Sequence, residues 1–187
     1  NVNSSTKEKP DAWVGSDDAE SAKMAIDFLA KKLNGQGNIL IIQGYMGQAA
    51  QIDRERGAVE ALKAYPNMKL LATQTGEWDR AKSMSLMENW IQSYGDQIQG
   101  VFAHNDEMGL GAMQALLDAK KKDKVVVVSV DGIGDALKAV DAGTLDATIL
   151  QNAEQQGSQA IALALDLIHK KPIKESQVLI PFQVKTK

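Results

Sequence analysis

The sequence predicts an α/β fold, a doubly wound parallel sheet lying between two layers of helices in a three-layer αβα arrangement. Three observations carry this. Short apolar runs alternate strictly with longer segments of helical periodicity, the rhythm that links parallel strands through helical crossovers. The clearest run, Val125-Val126-Val127-Val128, is apolar throughout, so both faces of its sheet are expected to be covered. The chain has 187 residues, 44% of them hydrophobic, which suits one domain or slightly more with a sizeable core.

Residues 1–10 are polar and turn-rich. Residues 18–33 place Ala22, Ala25, Ile26, Leu29 and Leu33 on one helical face, with Ser16, Asp17 and Asp18 as capping candidates before it and Gly35 and Gly37 after it. A β-branched apolar run predicts a buried strand at 38–43, followed by a glycine-bearing turn at 44–48. The alternation continues with helix 50–65, strand 68–73, helix 79–94, strand 100–103, helix 105–119, strand 124–130 and short helix 135–142. Strand 147–150, helix 154–170 and a final strand over 178–184 complete it. Helix 154–170 carries an apolar stripe through Ile161, Leu165 and Ile168, flanked by Ala160, Ala164 and Leu167, and that stripe needs cover from another surface.

Composition narrows the function. With 21 basic and 24 acidic residues the formal charge is −3, so the basic excess that drives phosphate-backbone binding is missing and no nucleic-acid partner is expected. No apolar run approaches the roughly 20 residues that span a bilayer. The absence of cysteine removes disulfides, thiolate metal sites and cysteine nucleophiles together. Gly109-Leu110-Gly111 lies within a helical pattern and Gly132-Ile133-Gly134 lacks a third glycine, so no dinucleotide fingerprint is present. Neither a phosphate-binding GxxxxGK[ST] loop nor a GxSxG elbow occurs. Two histidines cannot build a His-rich metal site. His104 has no recognisable nucleophile or orienting partner nearby, and His169 suits the C-terminus of a helix. No enzymatic activity, cofactor or metal is expected.

In a doubly wound sheet ligands lie beyond the carboxyl ends of the strands. Just past those ends stand Arg54, Trp78, Asn105, Asp131 and Gln151. An arginine fork reaches two neighbouring hydroxyls, Asp accepts from two, Asn and Gln both donate and accept, and an indole covers the C–H face of a sugar ring. Each residue alone has a plainer reading. Asn105 and Asp131 could be helix N-caps, Arg54 and Arg56 a solvated salt-bridged face, and Trp78 core. Their shared position on one sheet edge favours carbohydrate recognition.

The segments Asp53-Arg-Glu-Arg-Gly57, Val101-Phe-Ala-His-Asn-Asp-Glu-Met-Gly-Leu-Gly111, Val127-Val-Ser-Val-Asp-Gly132 and Ala147-Thr-Ile-Leu-Gln151 resemble the ribose-binding-protein type of periplasmic sugar-binding proteins. That family shares its fold, the type I periplasmic-binding-protein lobe, with the effector domains of LacI-type repressors. The resemblance implies two lobes that close on a monosaccharide or cyclic polyol and deliver it to the membrane permease of an ABC transporter, in the periplasm or, in Gram-positive cells, on a lipid anchor. It places Arg54, Asn105, Asp131 and Gln151 at sugar-bonding positions, Trp78 at a stacking position, and Asp17 or Asp18 near the ligand at the first crossover. It divides the chain into residues 1–16 as the tail of a missing N-terminal lobe, 17–151 as the C-terminal sugar-binding lobe, 152–178 as a return to the first lobe and 179–187 as a terminal crossover strand. On this reading the apolar stripe would pair with the missing lobe or self-associate. The longer turn at 44–48, and Asp18 where an amide is expected, leave a hexose or inositol open beside ribose. The alternative implied is the effector core of a LacI-type repressor, although no helix-turn-helix module is present in these residues.

Overall fold

Alternation of side chains along the strands decides the architecture. In the computed structural model, which describes residues 10–173 and 175–187, β1 is Trp13–Gly15, α1 Asp18–Lys32, β2 Gln36–Gln43, α2 Ala49–Leu62, β3 Asn67–Thr75 and α3 Arg80–Tyr94. Then follow β4 Gly100–Ala103, α4 Asp106–Asp118, β5 Val126–Asp131, α5 Gly134–Ala142, β6 Ala147–Leu150, α6 Ala153–Ile168, β7 Gln177–Leu179 and β8 Gln183–Thr186. Ile39 and Ile41 of β2, Phe102 of β4 and Val128 and Val130 of β5 pack with Ala22, Ile26 and Leu29 of α1 on one face. The alternate residues Leu40, Ile42, Val101 and Val127 pack with Met87, Trp90, Met108 and Leu116 of α3 and α4 on the other. The outcome is the expected sheet between two helical layers.

Six strands form the sheet in the order β3-β2-β4-β5-β6-β8. Strands β2 to β6 are parallel, and β8 joins the edge antiparallel to β6, with Ile149 opposite Val184. The chain leaves β2 through α2 to reach β3, then returns across β2 through α3 to enter β4. The strand order therefore reverses between β2 and β4, and a crevice opens there beyond the carboxyl ends.

One expectation is corrected. The final strand is two strands, because Pro181 lacks an N–H and interrupts the ladder. Ile180 and Phe182 on either side are buried and anchor the corner, with the Ile180 N–H donating to the Gly15 carbonyl at 2.7 Å. Strand β1 follows the polar stretch 1–10 and lies within residues 1–16, which the resemblance assigns to the tail of an N-terminal lobe. It pairs parallel with β7, Trp13 opposite Gln177, in a separate two-stranded ribbon. The preceding residues 1–9 lie outside the described residues. Helix α6 packs on β1, where buried Gln156 donates to Ser16 Oγ at 2.9 Å. Its predicted stripe is largely bare: Ile161, Leu165, Leu167 and Ile168 are all exposed, Ile168 at 72%.

Helices α1 and α2 approach closely at Gly57, where an added Cβ would lie 2.2 Å from the Ala19 carbonyl oxygen. Gly57→Ala should therefore force α1 and α2 apart and lower stability by about 1–3 kcal/mol, the usual cost of overpacking. Urea unfolding measures this, and an unchanged midpoint would show that the helices separate without penalty.

Candidate functional site

Arg54 lies on the first half of α2, pointed back toward the crevice, and is 4% exposed. A buried guanidinium must be paired and hydrogen-bonded. Its Nε donates to Asp18 Oδ1 at 2.9 Å, Nη2 stands 2.7 Å from the same oxygen, and Nη1 donates to the His104 carbonyl oxygen. Nη1 also lies 3.9 Å from Asp131 Oδ1. Of the five guanidinium N–H groups, Nε–H and one on Nη1 make these hydrogen bonds and Nη2 adds the ion-pair contact, which leaves donor capacity on Nη1 and Nη2. The salt-bridged-face reading thus fails for Arg54 and holds for exposed Arg56, which pairs with Asp53 at 2.8 Å.

Asp131 ends β5 with φ 130°, outside the range ordinary side chains prefer, and is followed by Gly132 at φ 79°. It is not a helix cap: Ile133 occupies the cap position of α5, without a side-chain bond. Its carboxylate is 29% exposed and faces Arg54. Burial, against the opposing pull of Arg54, raises its pKa from the ordinary 3.8 to about 6, and the nearby charges of Asp106 and Asp18 push the same way. Asn105 is the N-cap of α4, its side-chain oxygen accepting from Met108 N at 3.0 Å. Its amide nitrogen makes no hydrogen bond to the described residues. Gln151 follows β6, and its backbone N–H donates to the Asp131 carbonyl at 2.9 Å, which ties these two strand ends together.

Trp78 belongs to the same wall. The Arg54 guanidinium carbon sits 5.9 Å from its ring centre, within cation–π range, and its Nε1 donates to Gln48 Oε1 at 2.7 Å. Both Glu77 and Trp78 have positive φ, a conformation that turns the indole across the crevice. It lies over Gly44, where a Cβ would meet the ring at 1.9 Å, so only glycine fits at the end of β2. Asp17 stands apart. It is exposed and caps α1, accepting from Ala19 N at 3.0 Å and Glu20 N at 3.3 Å. The cluster therefore gathers Arg54, Asp18, Asp131, Trp78, Asn105 and Gln151 and leaves Asp17 outside.

Two groups lie buried beneath the wall: His104, weighed in the sequence as a base, and Asp106, which the sequence reading did not single out. His104 is fully buried; its Nδ1 is 3.4 Å from the Gly44 N–H and its Nε2 is 3.6 Å from Glu55 Oε2. Burial pushes the imidazole below its ordinary range, so it sits neutral under the site and is no exposed base. Asp106 is also fully buried and binds the β5–α5 turn. A signal existed for it: Ser129 and Thr148 each interrupt an apolar strand, and a pair of hydroxyls in a core calls for a polar partner.

The cluster forms an open wall. A hollow of about 950 Å³, lined in part by Met24, Phe28, Leu145 and Val184, lies at the opposite, amino-terminal edge of the sheet, away from this polar set. No grouping of His, Asp and Glu among the described residues is suited to hold a metal ion, and no described helix is long and apolar enough to cross a membrane.

Comparison with known proteins gives this wall a context. Residues 1–172 match the model of the periplasmic binding protein domain. The chain is 40% identical over 167 residues to the xylitol-binding protein of Mycolicibacterium smegmatis, covering 89% of this chain and 48% of that protein. It is 37% identical over 171 residues to the ribose import binding protein of Haemophilus influenzae, covering 91% and 57%. A solved structure of an ABC transporter solute-binding protein from Bacillus halodurans with bound myo-inositol superimposes with a TM-score of 0.86 at 36% identity, covering 94% of this chain and 60% of that one. The chain spans about half the length of the curated relatives it matches. On this evidence the chain belongs to the periplasmic binding protein family.

Proposed function

We propose that this chain supplies one wall of the ligand cleft in the solute-binding component of an ABC transporter, and that the ligand is a monosaccharide or cyclic polyol. The carrying observation is the buried Arg54, held by Asp18 and the His104 carbonyl, with donor capacity left on its Nη1–Nη2 edge and Nη1 3.9 Å from Asp131. Vicinal hydroxyls satisfy that edge: one accepts from Arg54 and donates to Asp131, while Asn105 and Gln151 engage its neighbours and Trp78 covers the ring. Asp18 acts as the clamp on Arg54, and Asp17 as a helix cap. The bound relatives support this class, since they are described with xylitol, ribose and myo-inositol.

On this reading β1, β7 and α6 lie at the junction with a second lobe, which would cover the bare face of α6 and close the cleft from the other side. The protein works outside the cytoplasmic membrane, hands its ligand to a permease and performs no catalytic step. The repressor alternative is not favoured, because the relatives named above are solute-binding proteins. Calorimetric titration of the full-length gene product with ribose, xylitol, myo-inositol and D-galactose tests the proposal. Tight binding of one of them is expected, and heat from none would sink it.

Asp131 should separate function from stability. Its raised pKa means that the folded protein holds more protons than the unfolded chain between about pH 4 and 6. Its contribution to stability therefore falls as pH rises through that window, and the full penalty stands at pH 7. Asp131→Asn removes the penalty, so the ligand-free protein should gain roughly 1–3 kcal/mol at pH 7 while its ligand affinity drops at least about tenfold. Thermal melts and titration of the same sample measure both. A variant that loses stability and keeps its affinity would remove Asp131 from the site. Wild-type binding should also weaken below about pH 6, as the acceptor carboxylate takes up its proton.

A further inference from the structure

Asp106 is fully buried in the first turn of α4, and nothing in ligand contact accounts for it. Its two oxygens accept four hydrogen bonds. Oδ1 receives Ser129 Oγ at 2.5 Å and Thr148 Oγ1 at 2.7 Å, and Oδ2 receives the backbone N–H of Gly132 at 2.7 Å and of Ile133 at 2.8 Å. Ser129 and Thr148 are direct register partners on β5 and β6. One carboxylate thus ties together two central strands, a helix start and the turn that follows Asp131. That turn needs a tie, because Asp131 and Gly132 both have positive φ and an aspartate holds such a conformation only where its surroundings enforce it.

We propose that Asp106 is a positioning residue for ligand binding: its carboxylate locks the 131–133 turn and so fixes the direction in which Asp131 presents its own carboxylate beside Arg54. This rests on reading Asp131 as a ligand acceptor. Asp106 also acts through its charge. The charged groups that face Asp131 are Arg54 from α2, Asp18 from the start of α1 and Asp106 from α4. Arg54 and the backbone N–H of Asp106 favour the ionised form of Asp131, and the charges of Asp106 and Asp18 oppose it.

Geometry and charge can be separated. In Asp106→Asn the amide oxygen can accept from the Gly132 and Ile133 N–H groups while the amide nitrogen donates to the two hydroxyls, which turn to accept. The tie survives and the charge is lost. Asp106→Ala loses both, and Thr148→Val leaves the charge but removes one donor to Asp106 together with the Thr148 Oγ1 that accepts from the Gly132 N–H at 3.1 Å.

The test is made on the full-length gene product with three readings. Carboxyl NMR should place the Asp131 titration in Asp106→Asn below the wild-type value of about 6. Amide exchange at Gly132 and Ile133 should stay slow in Asp106→Asn and quicken about tenfold or more in Asp106→Ala. Affinity for whichever of ribose, xylitol, myo-inositol and D-galactose binds the wild type should change less than about threefold in Asp106→Asn at pH 7. In Asp106→Ala it should weaken about ten- to a hundredfold, the loss expected when a buried acceptor is misaligned. Wild-type affinity in Asp106→Ala would overturn the proposal. So would a large loss in Asp106→Asn with Gly132 and Ile133 still protected, since Asp106 would then not be acting through the turn. If Asp106→Ala does not fold, Thr148→Val takes its place, read at Ile133, whose N–H bonds Asp106 and not Thr148, with faster exchange and weaker binding expected together; either without the other would overturn the assignment. If the wild type binds none of the four sugars, the receptor reading falls, and the exchange and titration readings still decide whether Asp106 governs Asp131.

Discussion

Burying a guanidinium is the constraint around which this chain is organised. A charge so enclosed is tolerable only if fixed acceptors meet it, and the acceptors for Arg54 come from two different parts of the chain: Asp18 at the start of α1 and the His104 carbonyl after β4. Those positions hold only if α1 and α2 pack tightly, which Gly57 permits, and if β2 and β4 lie side by side, which the sheet order provides. The scaffold and the site are thus one structure. What stabilises the arginine also leaves donor capacity on Nη1, beside Asp131.

Around that centre, backbone conformation does much of the aiming. Trp78 and Asp131, the flat and the anionic members of the wall, both sit at positive φ. Asp131 is followed by Gly132 and faced by Arg54, while the Trp78 ring fills the space that the missing Cβ of Gly44 leaves open. Asn34, Lys120 and Lys170 also have positive φ, but each simply follows a helix end, whereas at Trp78 and Asp131 the unusual conformation falls on recognition groups.

Much of this was legible in the sequence, for physical reasons. The strand–helix rhythm and the apolar runs report burial on both sheet faces, so the layered fold was readable from residue order alone. The candidate cluster was readable because a parallel sheet sends all its loops of one kind to one edge, which makes Arg54, Trp78, Asn105, Asp131 and Gln151 neighbours by topology. What stayed hidden was assignment within short range. Nothing in Asp17-Asp18 says which acid caps the helix and which reaches α2, since their side chains differ by one helical step in direction. The last strand was misread because Ile180-Pro181-Phe182 keeps an apolar pattern while its proline breaks the ladder. Asp106 was overlooked because it looks like an ordinary first-turn acid, and only the register of Ser129 with Thr148 shows why it must be inside.

The ribbon of β1 and β7 joins opposite ends of the described chain, Trp13 to Gln177, and it shares little with the sheet beyond the corner at Ile180. Pairing over so large a separation carries a loop-closure cost that falls sharply once the intervening sheet has already brought its ends together. The ribbon is therefore the piece that should assemble last and open first. A protease meeting the native protein would find its earliest cuts in the connections to this ribbon, with the arginine-centred body still intact.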